Sequence, residues 1–461
     1  MERFSRLLAD VTPLRESPAF RRLWAGSMLS GVGSALTAFA ITLQVYEITK
    51  SSFAVGAIGL AQMIPTITVG LVGGSLSDAM DRRRLAMLTS SGSAVVSAAL
   101  AAQAFAGLRA VWLLYVLVVV QSSLLAISQP IRQTFIPALL PPALLPAGMA
   151  LNRISFQVML TVGPALAGVI TAVPQLGLRG CYALDALTFG AGLYGIAGLP
   201  VLAKGAVTRA GPRAIADGVR FVARSRILAG AFLADLNATI FGLPIALFPA
   251  INAERFGGNP RTLGLFATAI GVGGLVSSAL SGPVGSIVRQ GRAMLYAVAI
   301  WGAAFAGFAV VRSLWLTIGL LAVAGAADTF TVIFRGTIVQ QATPEELRGR
   351  VTAADYVVGA GGSQLGNLEA GALGSLTTPT ISALTGGLTT VAGAVLIGLA
   401  LPAFTRYRAA TVVRTAPAAP AAPAGSVAPV APVAPAGSVA PGGPPTPAPH
   451  TQQPEPLTAE T

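Results

Sequence analysis

The amino-acid sequence predicts an all-α membrane protein with twelve spanning helices arranged as two six-helix repeats. Three observations predict it: apolar runs of about 20 residues recur along most of the chain, basic residues gather in alternate gaps between them, and a glycine- and arginine-bearing loop occurs once in each half. Only 10% of residues are charged, against about 25% in soluble domains, so most of the chain must face lipid or another apolar helix.

Residues 1–22 read as a polar, arginine-bearing cytoplasmic segment. The apolar run behind it is too long for a signal-peptide core and lacks a small-residue cleavage signature, so it is retained as the first span. The N-terminal bundle, residues 23–200, holds runs at roughly 23–46, 53–75, 86–107, 111–130, 154–174 and 180–200. Residues 201–226 form a basic cytoplasmic linker. The C-terminal bundle, residues 227–405, holds runs at roughly 227–249, 262–284, 293–311, 314–334, 353–376 and 381–404. From residue 406 to residue 461 the chain reads as a cytoplasmic tail. Its part from Thr415 onward carries 13 of the 32 prolines and repeats Ala-Gly-Ser-Val-Ala-Pro, a composition that predicts disorder with polyproline II character.

Basic residues fix the orientation. With the N-terminus inside, the inner segments collect 24 Lys and Arg and the outer ones 6, which accounts for all 30. Both termini are therefore predicted to be cytoplasmic. The net charge of +13 is absorbed by topology and anionic lipid headgroups, so no nucleic-acid partner is expected. Cys181 is the single cysteine and His450, in the tail, the single histidine. No disulfide, metal site or cofactor is expected, and no cluster of nucleophile, base or ligands at one membrane depth suggests an enzyme.

The loop at 73–84 concentrates Gly73, Gly74, Asp78, Asp81, Arg82, Arg83 and Arg84 between two apolar runs. Its glycines permit close helix packing, and its acids and arginines can pair across a short turn. A second copy follows the eighth span, at 281–292. Gly74 aligns with Gly282 and Arg84 with Arg292, but Asp78 becomes Ser286.

Gly-Gly-Ser-Leu-Ser-Asp-Ala-Met-Asp-Arg-Arg-Arg at 73–84 resembles the signature loop of the major facilitator superfamily, and the likeness spans residues 15–408. Ser17-Pro18-Ala19-Phe20-Arg21-Arg22-Leu23-Trp24, Leu247-Phe248-Pro249-Ala250 late in the seventh span, and Thr343-Pro344-Glu345-Glu346-Leu347-Arg348-Gly349-Arg350-Val351 resemble the exporter branch that contains the enterobactin (siderophore) exporter and the macrolide efflux proteins. The resemblance implies a monomeric inner (plasma) membrane transporter that moves a small molecule outward by alternating access, with protons and membrane lipids as its other partners. A broad drug efflux pump and a non-transporting sensor on the same fold are the alternatives.

It also implies roles for particular residues. Asp78 becomes a latch against the positive end of the eleventh helix, near Val351. Gly163, Pro164 and Gly168 resemble the family's antiport motif, although Met159 stands where a glycine is expected and an ordinary packing kink explains them too. The arginine that many drug and proton antiporters carry in the fourth helix is absent between Val116 and Gln129. Proton coupling must then use carboxylates within spans: Asp235 first, then Asp328, Asp185 and Glu369, each of which serves equally well as a structural partner. Gln44, Tyr46, Gln62, Gln157, Asn237, Phe241 and Gln364 are candidates for the substrate path, suited to a mid-sized, partly aromatic molecule.

Overall fold

A computed structural model describes residues 10–199, 212–280 and 287–408, with the side chains of 71–79, 212–214 and 360 outside the description. The side chains of Gly73, Gly74 and Asp78, the loop copy at 281–286 and the chain beyond residue 408 therefore lie outside the described residues.

Twelve long helices follow one another: α1 (Pro18–Thr49), α2 (Ser52–Ala79), α3 (Arg82–Phe105), α4 (Val111–Leu139), α5 (Leu145–Thr171), α6 (Gly177–Ala197), α7 (Arg226–Phe241), α8 (Pro260–Ala279), α9 (Gln290–Val310), α10 (Leu314–Ala342), α11 (Glu345–Leu376) and α12 (Pro379–Ala400). Ten spans among the described residues are long and apolar enough to cross a membrane, α7 being counted with its continuation to Phe256. The other two helices, α6 and α11, reach about 30 Å or more at 1.5 Å per residue but are more mixed in composition.

Each repeat opens on a serine cap. Ser17 Oγ accepts the Phe20 N–H at the start of α1, and Ser225 Oγ accepts the Leu228 N–H at the start of α7. Within the first bundle α6 packs on α1 and α3, α4 on α2 and α3, and α5 on α1. Within the second, α9 packs on α10 and α12, α8 on α10, and α7 on α11 and α12. The bundles meet along two seams, α2 with α11 and α5 with α8. The core of the second bundle is aromatic: Phe248 meets Phe266 edge-on at 5.7 Å and lies 5.4 Å from Phe308.

Several expected boundaries move. α2 stays helical to Ala79, so the loop expected at 73–84 shrinks to Met80 and Asp81. Asp81 caps α3, accepting the N–H groups of Arg83 and Arg84 at 2.7 and 3.3 Å, while the Arg83 guanidinium donates to the Ala197 carbonyl at the end of α6. α4 and α10 run about two turns past their expected ends, because their last turns are amphipathic rather than uniformly apolar. α11 starts two turns early, with Glu345 and Glu346 in its first turn, where acids complement the positive end of the helix dipole. The seventh span is not continuous: Gly242 and Pro244 interrupt it, and the chain passes through a 3-10 turn (Pro244–Leu247) before Phe248–Phe256. Leu247-Phe248-Pro249-Ala250 thus straddles the restart of a broken helix.

The basic linker contains a helix, Pro212–Arg224, which packs on α11. Its Val222 is buried in a cluster with Val351, and Asp217 accepts from Arg350 at 3.4 Å.

Candidate functional site

α10 carries an arginine in its C-terminal third, and packing against α7 and α11 surrounds it with acids. Arg335 Nη1 donates to Asp235 Oδ2 of α7 at 2.7 Å and lies 3.2 Å from Asp355 Oδ1 of α11, an ion contact without hydrogen-bond alignment. The side chains of Arg335 and Asp235 are 14% and 7% exposed, so the pair is shielded from solvent. Gly359, one turn beyond Asp355, leaves room for the guanidinium: a Cβ there would sit 3.6 Å from Nη1. Asp328, two turns before Arg335 on α10, lies within electrostatic reach of Asp235, Arg335 and Arg153, the last projecting from α5 of the other bundle. Asp235 of α7, Asp328 and Arg335 of α10 and Asp355 of α11 thus form one charged group within the second bundle, with Arg153 of α5 in reach of it.

The seams are built from glycine. A Cβ on Gly56 would fall 2.4 Å from the Asn367 carbonyl oxygen, and one on Gly168 would fall 2.9 Å from the Gly264 Cα. Both contacts lie toward the end of the bundle opposite the start of α1. Gln364 Nε2 donates to Gln62 Oε1 across the α2/α11 seam at 3.1 Å, and Gln157 Nε2 donates to the Gly271 carbonyl across the α5/α8 seam at 3.0 Å. Further along, a Cβ on Gly361 would meet Ile67 and Met63 only at 3.9 Å. The α2/α11 seam is therefore tight at one end and loosens toward the other.

The remaining expected residues fall elsewhere. Gln44 exchanges hydrogen bonds with Gln103 and accepts from the Tyr182 hydroxyl, all three being buried between α1, α3 and α6. Asp185 is buried in the same bundle, where Thr37 and Ser97 each donate to Oδ2 at 2.7 Å. Asn237 donates to the Thr390 carbonyl of α12 at 2.8 Å. Phe241 is 39% exposed at the end of α7, and Tyr46, near the end of α1, lies under the Lys50 ammonium. Glu369 is half-buried on α11. Gly163 packs on Ala35 of α1 and Gly168 on α8, so the Gly-Pro segment reaches both its own bundle and the opposite one. The structure brings together Asp235 and Asp328 in one cluster and Gln62 and Gln364 in one contact, and it keeps Gln44, Asp185 and Asn237 inside single bundles.

In the sequence Arg132 counted only as topological charge, and Arg335 as that and as the residue two turns after Asp328. Arg335 lies inside α10, and Arg132 lies inside α4, three residues beyond the stretch searched for a fourth-helix arginine. Arg132 donates from Nε to Ser128 Oγ at 3.1 Å, from Nη1 to Ser27 Oγ at 3.1 Å and from Nη2 to Ser90 Oγ at 2.9 Å. Each arginine sits 21 residues after the first residue of a 29-residue helix, Val111 for α4 and Leu314 for α10, and each is followed two positions later by threonine. That repeat-wide register was the available signal.

Comparisons with known proteins agree with this architecture. The family described as transmembrane secretion effector matches residues 8–422. An enterobactin exporter EntS from Citrobacter koseri is 26% identical over 410 residues, covering 88% of this chain and 97% of that protein, and one from Escherichia coli O1:K1 is 24% identical over 403 residues, covering 87% and 96%. Among solved structures, the nucleoside transporter NupG superposes with a TM-score of 0.66 at 14% identity, covering 84% of this chain and 99% of that one. A bacterial homologue of the iron transporter ferroportin, in an inward-facing state, gives 0.62 at 16% identity over 84% and 99%. This multi-pass membrane chain belongs to the transmembrane secretion effector family of major facilitator transporters.

Proposed function

We propose that this protein exports a mid-sized organic molecule, of the kind carried by siderophore exporters, from the cytoplasm by proton-coupled alternating access. The observation that carries the reading is the Arg335 cluster. Arg335 contacts both Asp235 and Asp355, and Asp328 has Arg335 and Arg153 only within electrostatic reach, so three carboxylates share sparse countercharge that a proton on one of them would supply. Asp235 sits on α7 while its partners sit on α10 and α11, so protonating it loosens one helix from the other two. That is a local charge change able to bias a bistable bundle. The basic-residue asymmetry supports placing both termini in the cytoplasm, and the α2/α11 seam, tight at the opposite end and looser toward this one, supports a path that opens to the cytoplasm. Residues 23–200 and 227–405 act as the two rocking units, joined by residues 201–226.

Asp78 remains the proposed latch at the cytoplasmic end. Asp78→Asn is expected to lower transport without lowering membrane insertion; full transport by a correctly inserted Asp78→Asn protein removes the latch from the mechanism. The export reading itself is tested in inverted membrane vesicles with an acid-inside gradient, offered a catecholate siderophore or a macrolide. Gradient-dependent accumulation of the siderophore is the expected result. Accumulation of the macrolide in its place selects the drug-efflux alternative, and movement of neither, with the protein inserted, selects the sensor.

A further inference from the structure

The two repeats place an arginine at the same register and surround it differently. In the second bundle the partners are Asp235, nine residues after the first residue of α7, and Asp355, ten after the first of α11. In the first bundle the equivalent positions, nine residues after Pro18 of α1 and ten after Leu145 of α5, hold Ser27 and Ser155. Arg132 thus occupies the Arg335 register with serine at both acid positions: Ser27 touches the guanidinium, whereas the Ser155 hydroxyl donates to the Leu151 carbonyl. Its guanidinium is held by three hydroxyls, from Ser27, Ser90 and Ser128, and it takes part in none of the ion pairs found among the described residues.

A guanidinium in a membrane bundle with neutral partners only is costly, because hydroxyl oxygens return part of the lost hydration and none of the countercharge. Ser90 and Ser128 are buried at 1% and 3% exposure, whereas Ser27 and Arg132 keep partial exposure, so the site is closed on the α3 side and open beside Ser27. Arg153 adds a second cation on the same bundle, within electrostatic reach of Asp328 in the other. The first bundle thus contributes Arg132 and Arg153, and the second the three acids grouped around Arg335.

We infer that Arg132, framed by Ser27, Ser90 and Ser128, binds an anionic oxygen of the exported molecule, a carboxylate or ionised phenol. The inference rests on the exporter reading for the ligand's origin. The missing countercharge arrives with the cargo: the guanidinium supplies the charge-assisted bonds, and the serines hold its plane in place when the site is empty. A molecule with one anionic end fits against the first bundle while its remainder spans toward the acid-bearing second bundle.

The test uses the full-length protein in detergent, with salicylate as the anionic probe, salicylamide as its uncharged counterpart and inorganic phosphate as a plain oxyanion. Binding is read by thermal stabilisation and by isothermal titration. Salicylate is expected to bind the parent, salicylamide at least about tenfold more weakly, and Arg132→Gln is expected to weaken salicylate by at least about tenfold, with Arg132→Lys in between. Ser27→Asp, which installs the acid found at the equivalent place in the second bundle, should keep the folded protein as stable as the parent while abolishing salicylate binding. Equal binding of salicylate by parent and Ser27→Asp, or equal binding of salicylate and salicylamide by the parent, overturns the site. Binding of phosphate but not salicylate overturns its assignment to an organic anion. Salicylate binding that depends on Arg132, with no movement of salicylate in vesicles, leaves the site standing and counts against the export reading alone.

Discussion

Arg132 and Arg335 occupy one register in two repeats, and the difference around them is a division of labour. Arg335 is gripped by Asp235 and Asp355, with Asp328 two turns away, so its neighbourhood holds more acid than base. Arg132 is gripped by three serines, and among the described residues no acid pairs with it. Where one repeat sets Asp235 and Asp355 on its arginine, the other has Ser27 on it and Ser155 turned to the Leu151 carbonyl, and the proposed anion receptor follows from that exchange. An internal repeat can therefore carry one arginine into two chemistries by changing only what the arginine touches.

Removing each arginine breaks the comparison most directly. Arg335→Met leaves Asp235 and Asp355 without their cation, and stranding a buried partner of an ion pair costs about 3–5 kcal/mol, so a large fall in detergent melting temperature and loss of transport are expected. The seams come next. Gly56→Leu forces a side chain into the Asn367 carbonyl of α11, and overpacking of about 1–3 kcal/mol should shift the population away from the closed seam. Labelling of a cysteine placed at Ser52 should then rise; unchanged labelling would show that the α2/α11 contact does not gate that end. Arg132→Met is the counterpart of the first change, with the opposite expectation. It strands only hydroxyls, so stability should change by about 1 kcal/mol or less while anion binding disappears. Equal destabilisation by the two methionine variants would erase the distinction between the two clusters. The smallest effect belongs to Asp217→Asn at the linker. The Arg350–Asp217 pair is about half exposed on both sides, 48% and 47%, and such surface pairs contribute about 0–1 kcal/mol, so neither melting nor transport should change measurably.

Much of the fold was legible because hydrophobic length and charge asymmetry are strong, additive signals. Twelve runs gave twelve long helices among the described residues, and α4 and α10 start where their runs start. Errors arose where a helix continues past its apolar stretch. α4 and α10 extend through Arg132 and Arg335 because inward-facing turns need no lipid-compatible surface, so hydropathy ended both helices too soon. The break at Gly242 and Pro244 escaped notice because a long apolar run reads the same whether or not its helix is interrupted. Within the site, Asp235 and Asp328 were legible as rare acids inside spans. Their convergence on Arg335 was not, since pairing across α7, α10 and α11 depends on rotational settings that sequence periodicity leaves free. Gln44 shows the other side: a polar residue within a span was legible, but its bonds from α1 to Gln103 of α3 and Tyr182 of α6 were not.

The central claim is that the acid-rich arginine cluster couples protons to export. It is tested most directly in proteoliposomes by measuring transport with and without an imposed proton gradient, for the parent and for Asp235→Asn. The account predicts gradient-driven transport by the parent and transport that no longer responds to the gradient in Asp235→Asn. Equal gradient dependence in the two proteins would contradict it.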